Sequence, residues 1–227
     1  ILEGLYVWFG RQVDMNALKN EYYQPDGSLY NWNYNYHNNP YWLQYDNPER
    51  DARNRLIGDV SATYKLTDWL NVTARTGSDI YNYNQSQEYA AGNINFTNPS
   101  YAGGFNFQQT AWNENNSSLQ ATVRKSLTSH LSLDALAGAN RRYSSYNYTG
   151  QNTDGISVAG IYNVANAAIT PTLGQNIQNV QVNSVYGSAA FTWDDGWPVQ
   201  GTARNDWSST LHNGVNSYFY PSVNTSL

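Results

Sequence analysis

Residues 30–45 read Tyr-Asn-Trp-Asn-Tyr-Asn-Tyr-His-Asn-Asn-Pro-Tyr-Trp-Leu-Gln-Tyr, so that aromatic rings and amides interleave almost one for one. Flat rings stack on the apolar faces of sugars and on peptide side chains, and neighbouring amides donate and accept hydrogen bonds. Tyr81, Tyr83, Phe105, Phe107 and Trp112 continue the theme further along. On this pattern the expected substrate contacts are Trp32, Tyr34, Tyr36, Tyr41, Trp42, Tyr83, Phe105 and Trp112. The competing reading is that these rings pack the loops on themselves, because long loops need a small core of their own.

Residues that could break or make bonds are scarcer. There is no GxxxxGK phosphate loop, no GxGxxG fingerprint and no HExxH pair. His37, His130 and His212 are scattered without a partner at metal-ligand spacing, and His130 reads as a solvated turn residue. Asp194-Asp195-Gly196 resembles the start of a calcium loop, but the ladder of oxygen ligands does not follow, so a turn is expected. Glu49, Asp51 and Asp59 are carboxylates of the kind glycoside hydrolysis uses, yet nothing sets the separation that chemistry demands. With no cysteine, disulfides and Cys-ligated zinc are excluded. The expectation is a protein that is not an enzyme, with no catalytic residue, no metal and no cofactor. Asn-x-Ser/Thr triplets (among them those at Asn71, Asn95, Asn116, Asn147 and Asn224) are what chance supplies in so Asn- and Thr-rich a chain.

Composition narrows the classes further. The 227 residues include 20 Tyr, 8 Trp, 6 Phe and 31 Asn but only 12 basic and 17 acidic residues. Mean hydropathy is −0.66, a polarity contributed by amides and hydroxyls. Many aromatics with a net charge of −5 exclude a disordered tail. The acidic balance, with a pI near 5.0, argues against a nucleic-acid partner. No apolar run approaches the length of a transmembrane helix. The chain starts at Ile1 without a visible signal peptide, and Val223 to Leu227 reads as a strand in progress, so a piece of a longer protein is expected.

The elements that would position the aromatics are strands. From Leu56 to Leu66, Leu56, Gly58, Val60, Ala62, Tyr64 and Leu66 alternate with a mostly polar set broken only by Ile57. Such period-2 patterning gives a strand with one greasy and one wet face. Thr67-Asp68-Trp69 turns the chain, and Leu70, Val72 and Ala74 resume. The figure repeats at 117–142: Leu127-Thr128-Ser129-His130-Leu131 aligns with Leu66-Thr67-Asp68-Trp69-Leu70. A third hairpin turns at 194–198, where Gly and Pro are ordinary turn residues. Eight strands are expected, at 1–9, 55–66, 70–82, 117–127, 131–142, 182–193, 199–208 and 217–227.

Connections alternate between short turns and links of thirty or more residues, at about 10–54, 84–116 and 143–179. That is the plan of an outer-membrane barrel with short periplasmic turns and long extracellular loops, and the strand lengths suit tilted membrane strands. A β-sandwich alternates too, but its strands rarely run so long with loops biased to one edge. Backbone in lipid must be fully paired, so the strands would form part of a closed barrel: a small eight-stranded one, or an arc of a larger one. The fold expected is therefore all-β: an antiparallel transmembrane β-barrel segment of about eight strands with long extracellular loops. As an isolated arc it would expose its apolar face and open edges and aggregate in water.

Asn39-Pro40-Tyr41-Trp42, Arg55 to Gly58, Tyr64 to Val72, Gly160-Ile-Tyr-Asn163, Ala203 to Leu211 and Ser217 to Val223 together resemble the SusC/RagA family of TonB-dependent outer-membrane transporters, typical of the Bacteroidota. The resemblance runs from about residue 10 to 227. It implies a 22-stranded barrel plugged by an N-terminal domain, energised by the TonB complex through that plug, and capped by a SusD-like surface lipoprotein. It further implies import of oligosaccharides or peptides across the outer membrane, glycan uptake included. Nothing in residues 1–227 looks like the plug, the TonB box or the last barrel strand, so the whole chain is expected to be an internal part of the barrel domain. Two alternatives stay open: a complete eight-stranded outer-membrane porin or adhesin, in which 1–9 pairs with 217–227, and a secreted carbohydrate-binding β-protein.

Overall fold

The computed structural model describes residues 8–94, 102–194, 196–212 and 214–225. Seven strands follow one another in sequence: β1 Glu49–Lys65, β2 Leu70–Tyr89, β3 Gly104–Ser126, β4 Leu131–Thr153, β5 Thr172–Trp193, β6 Trp197–Ser208 and β7 Ser217–Thr225. They form one antiparallel sheet in the order β1-β2-β3-β4-β5-β6-β7, with β1 and β7 at its two ends. Two short helices precede the sheet, α1 Met15–Asn20 and α2 Pro40–Asp46, and a 3-10 turn occupies Val164–Asn166 between β4 and β5. The all-β expectation holds; the strand at 1–9 lies largely outside the described residues, and Trp8 to Gly10 are not strand. Pairing of 1–9 with 217–227 therefore falls outside the described residues as well.

Strand lengths correct the sequence reading. β2, β3, β4 and β5 contain 20, 23, 23 and 22 residues, so the expected link at 84–116 shrinks to 90–103 and that at 143–179 to 154–171. Alternation marks only the stretch where one face is apolar. Beyond it, as in Gly104 to Asn116, amides and scattered rings replace the continuous apolar row, and the periodic signal fades while backbone pairing continues. Amides and hydroxyls there bond across strands: Thr76 Oγ1 lies 2.8 Å from Ser117 Oγ, and Asn115 Nδ2 donates to Ser78 Oγ at 3.0 Å and to the Gly77 carbonyl at 3.1 Å.

The chain divides into two compact units. One holds residues 54–82, 111–147 and 177–227, and its short turns explain its register. Leu66 N donates to Leu70 O at 3.0 Å and Thr67 N to the same oxygen at 3.2 Å; Leu127 N and Thr128 N donate to Leu131 O at 2.8 and 3.1 Å. In both turns the threonine Oγ1 accepts the amide two residues on, from Trp69 and from His130. The repeat in sequence is thus a repeat in hydrogen bonding. Each turn also extends its ladder to the next strand: Arg124 N donates to Trp69 O at 2.9 Å, and Asp194 N to His130 O at 2.9 Å. His130 is an exposed turn residue as expected, but it does not stand alone. Its Nδ1 lies 2.5 Å from Asp194 Oδ1. Asp194 holds a left-handed backbone, φ 46°, which Asp tolerates better than most residues.

The other unit holds residues 1–53, 83–110 and 148–176. Its small core is Leu18, Trp42, Phe105 and Ile156, all essentially without solvent contact. Asn39 sits at its centre, fully buried. Its Oδ1 caps α2 by accepting from Tyr41 N at 2.9 Å, and its Nδ2 donates to Leu18 O at 2.8 Å and Tyr30 O at 2.9 Å. Pro40 follows at the first helical position, where a missing N–H costs nothing. Gly103 has φ 108°, and a Cβ there would meet Tyr89 O at 2.7 Å and Ile156 at 3.0 Å. Only glycine meets both demands.

Candidate functional site

On the β-sheet of the 54–82, 111–147 and 177–227 unit, the two faces differ in kind. Even-numbered residues of β1 and β2 and odd-numbered residues of β3 to β7 make the apolar face. β3 contributes Leu119, Ala121 and Val123, and β4 contributes Leu131, Leu133, Ala135, Ala137 and Ala139. The β5–β6 register pairs Gly187 with Ala203, Ala189 with Gly201 and Phe191 with Val199 on it, and β6–β7 pairs Gly201 with Val223. Many of these side chains lie open: Leu119 is 56% exposed, Val185 54% and Val223 82%.

The opposite face is a lattice of ion pairs. Arg55 grips Asp79 with two bonds, Nε to Oδ1 at 2.8 Å and Nη2 to Oδ2 at 2.6 Å. Arg75 Nε reaches Asp59 Oδ2 at 3.1 Å, Arg142 Nη2 reaches Glu114 Oε2 at 2.7 Å, and Arg204 bridges Asp206 and Ser184 at 2.7 and 2.8 Å. Each pair is about half exposed or more on at least one side, so solvent screens it and it adds little to stability. What the lattice does is keep a cationic and anionic pattern in fixed positions.

Beside that lattice lies an aromatic row. Tyr81 on β2 stacks on Trp112 of β3 with ring centroids 6.3 Å apart and planes 18° apart, and Trp112 meets Tyr146 of β4 edge-on at 6.5 Å. All three rings are half-buried. Arg55–Asp79 and Glu114–Arg142 occupy the neighbouring cross-strand position. A row of rings next to paired charges suits a ligand that offers apolar faces together with polar or charged groups. The sequence pattern singles out Trp112 but places it in a loop, and it passes over Tyr146. The missing signal is register: an unbroken ladder from the Leu127–Leu131 turn sets Tyr146 opposite Trp112.

The unit of residues 1–53, 83–110 and 148–176 contains a cavity of about 920 Å³ along one cross-strand row, at Asp51 of β1, Gln85 of β2, Gln108 of β3, Gly150 of β4 and Gly174 of β5. Its size is that of a small-ligand site. The same unit sorts the remaining aromatic candidates into two groups. Tyr34 and Tyr36 are 63% and 62% exposed on a tight turn that Asn33 closes by accepting from Asn35 N and Tyr36 N at 3.0 Å. Tyr41 is half-buried, and Trp32 stacks on His37 at 5.1 Å with planes 7° apart. Tyr83 belongs to β2, where Arg53 lies 4.7 Å from its ring centroid. Trp42 and Phe105, in contrast, have no exposed surface. Trp42 donates through Nε1 to Tyr23 Oη at 3.1 Å, and Phe105, on β3 rather than in a loop, stacks on Phe107 at 4.7 Å. Both rings are thus packed inside the protein. Partial burial raises the pKa of the half-exposed Tyr23 hydroxyl above its ordinary value.

Among the described residues no cluster of three His, Cys, Asp or Glu side chains could hold a metal ion, and no helix is long and apolar enough to cross a membrane. No protein-family profile and no curated protein matches the chain. Solved structures do. The chain is similar to the RagAB peptide transporter, with TM-score 0.72 and 17% identity over 88% of this chain and 23% of that one. It is similar to the RagAB peptide importer in the open-open state, with TM-score 0.75 and 17% identity over the same shares. The closed-closed state gives 0.72 and 16% over 83% and 21%. Identity this low shows the fold alone, and the chain spans less than a quarter of those chains.

Proposed function

We propose that the chain is part of the wall of an outer-membrane β-barrel that imports oligosaccharides or peptides, in the manner of a SusC/RagA-type TonB-dependent transporter. The observation that carries this reading is the two-faced sheet. On β4 the apolar row covers eight residue steps, Leu131 to Ala139, about 27 Å along a strand, and on β3 the row Leu119 to Val123 gives way to Lys125 at the margin. At the usual barrel tilt that is about 20 Å of height, close to the apolar band of an outer-membrane barrel. Such a band in lipid requires a sheet whose edges are paired. Aromatic rings mark its ends: Trp69, under Lys125 at 4.8 Å, and Trp193, stacked near His130 at 6.5 Å, lie at one margin.

On this reading the ion-paired face looks into the lumen, and the aromatic row of Tyr81, Trp112 and Tyr146 meets the cargo or the plug. The names of the structural neighbours favour peptides over glycans. A SusD-like lipoprotein over the loops and the TonB complex acting through a plug domain complete the machine. Its work is binding and passage, with no bond made or broken and no cofactor.

Two measurements test the proposal. Carbonate-washed membranes should retain the full-length protein; recovery in the soluble fraction refutes the barrel. Calorimetric titration with mixed oligopeptides and with mixed oligosaccharides should show binding to one class, weakened by about 2 kcal/mol in Trp112→Ala, the loss typical of an aromatic anchor. Unchanged affinity would remove the aromatic row from the site.

A further inference from the structure

On the apolar face, where the greasy rows give way to polar ones, a cleft of about 460 Å³ opens across β3, β4, β5 and β6. Leu119, Ala139 and Val185 form its apolar side, and Arg141, Asn183 and Trp207 form its polar side. Asn183 and Trp207 are register partners, so amide and indole stand side by side. Arg141 is exposed and directs both Nε and Nη2 at the single neutral oxygen Gln181 Oε1, at 3.3 and 3.1 Å. Its guanidinium also lies 5.4 Å from the Tyr143 ring centroid.

The charge on Arg141 is held differently from that of the ion-paired arginines of the sheet. Arg55, Arg75, Arg124, Arg142 and Arg204, all on the opposite face, each have a carboxylate within 3.2 Å. Among the described residues Arg141 has none within ion-pair distance. A guanidinium presents a planar fork of five donors suited to phosphate, and here two donors are committed to one oxygen. An apolar strip that ends at an uncompensated cation, flanked by Trp and Asn, matches a molecule with hydrocarbon at one end and an anionic oxygen cluster at the other. Tryptophan takes the same boundary position wherever apolar and wet regions meet.

We propose that this cleft binds the phosphate-bearing headgroup of an anionic membrane lipid, with Arg141 on the phosphate, Asn183 and Trp207 beside it, and an acyl chain along Leu119, Ala139 and Val185. The proposal rests on the membrane reading above. It adds a lipid site of defined chemistry to a face that otherwise needs only hydrocarbon.

The test uses the full-length protein in nanodiscs of phosphatidylcholine doped with phosphatidylglycerol, followed by native mass spectrometry after detergent extraction. The wild-type protein retains phosphatidylglycerol in preference to phosphatidylcholine. Arg141→Gln retains it about tenfold less or weaker still, the change that follows loss of a charge-assisted hydrogen bond, and Arg141→Lys retains most of it. Ala139→Trp, which fills the apolar side, lowers retention while leaving the guanidinium in place. Equal retention of phosphatidylglycerol by wild type and Arg141→Gln, with both proteins inserted in the discs, overturns the site and leaves the barrel standing. Failure of the wild type to enter discs at all overturns both. Competition by inorganic phosphate alone, without any preference for the lipid, also overturns it, because the cleft would then be a free-anion site.

Discussion

The two faces of β3 to β6 carry different information in the same strands. On one, Leu119, Ala121 and Val123 and the row Leu131 to Ala139 are alike in chemistry, and the charges Lys125 and Arg141 stand only beyond the ends of these rows. On the other, Arg142 must meet Glu114 and Arg204 must meet Asp206 and Ser184, so identity at each position counts while the energy of each pair is small. One face is specified as a class and the other residue by residue. Tolerance to substitution should therefore differ sharply between them.

The largest expected effect is a charge on the apolar face. Ala137→Arg, near the middle of its row, should cost about 2–4 kcal/mol if lipid covers it, and the heat-modifiable band of a folded barrel on a semi-native gel should disappear. The matched change Gln120→Arg on the polar face should leave that band in place; loss of both would erase the distinction between faces. A smaller effect comes from Gly138, over which Tyr186 lies: an added Cβ would stand 2.7 Å from its ring and hydroxyl. Gly138→Ala should lower thermal stability by about 1–3 kcal/mol, the range for overpacking, and Tyr186→Ala should restore tolerance. A double-mutant cycle on Arg55 and Asp79 should find the two changes close to additive in melting temperature, despite the bidentate geometry. Gly201 on the apolar face has open space where a methyl group would stand, so Gly201→Ala should shift the melting temperature by the equivalent of less than about 0.5 kcal/mol.

What is legible in the sequence follows from the same division. The strands at 55–66, 117–127 and 131–142 are visible because an apolar face imposes period two on them. Their continuations, such as Gly104 to Asn116 and Tyr143 to Thr153, are hidden because amides and scattered rings on both faces leave no continuous apolar row, although Asn115 holds the strands together there. That is why Tyr83, Phe105 and Trp112 read as loop residues. Trp42 and Phe105 show a second limit. Interleaving with amides looks the same whether a ring stacks on a ligand or fills the core around Asn39, and only burial separates the two. Asn39-Pro40-Tyr41-Trp42 is recognisable as a motif, and in the structure it caps a helix and supplies the buried Trp42.

The backbone bonds from Arg124 to Trp69 and from Asp194 to His130 have a consequence for exchange with solvent. They carry the ladders past the strand ends into the turns, so the short-turn margin of the sheet has little to fray. Local opening takes place where backbone bonds and buried contacts are fewest. Amide protons of Arg124 and Asp194 should therefore outlast those of equally exposed residues near the long links, and thermal breathing in this protein should start from the loop-bearing ends of its hairpins.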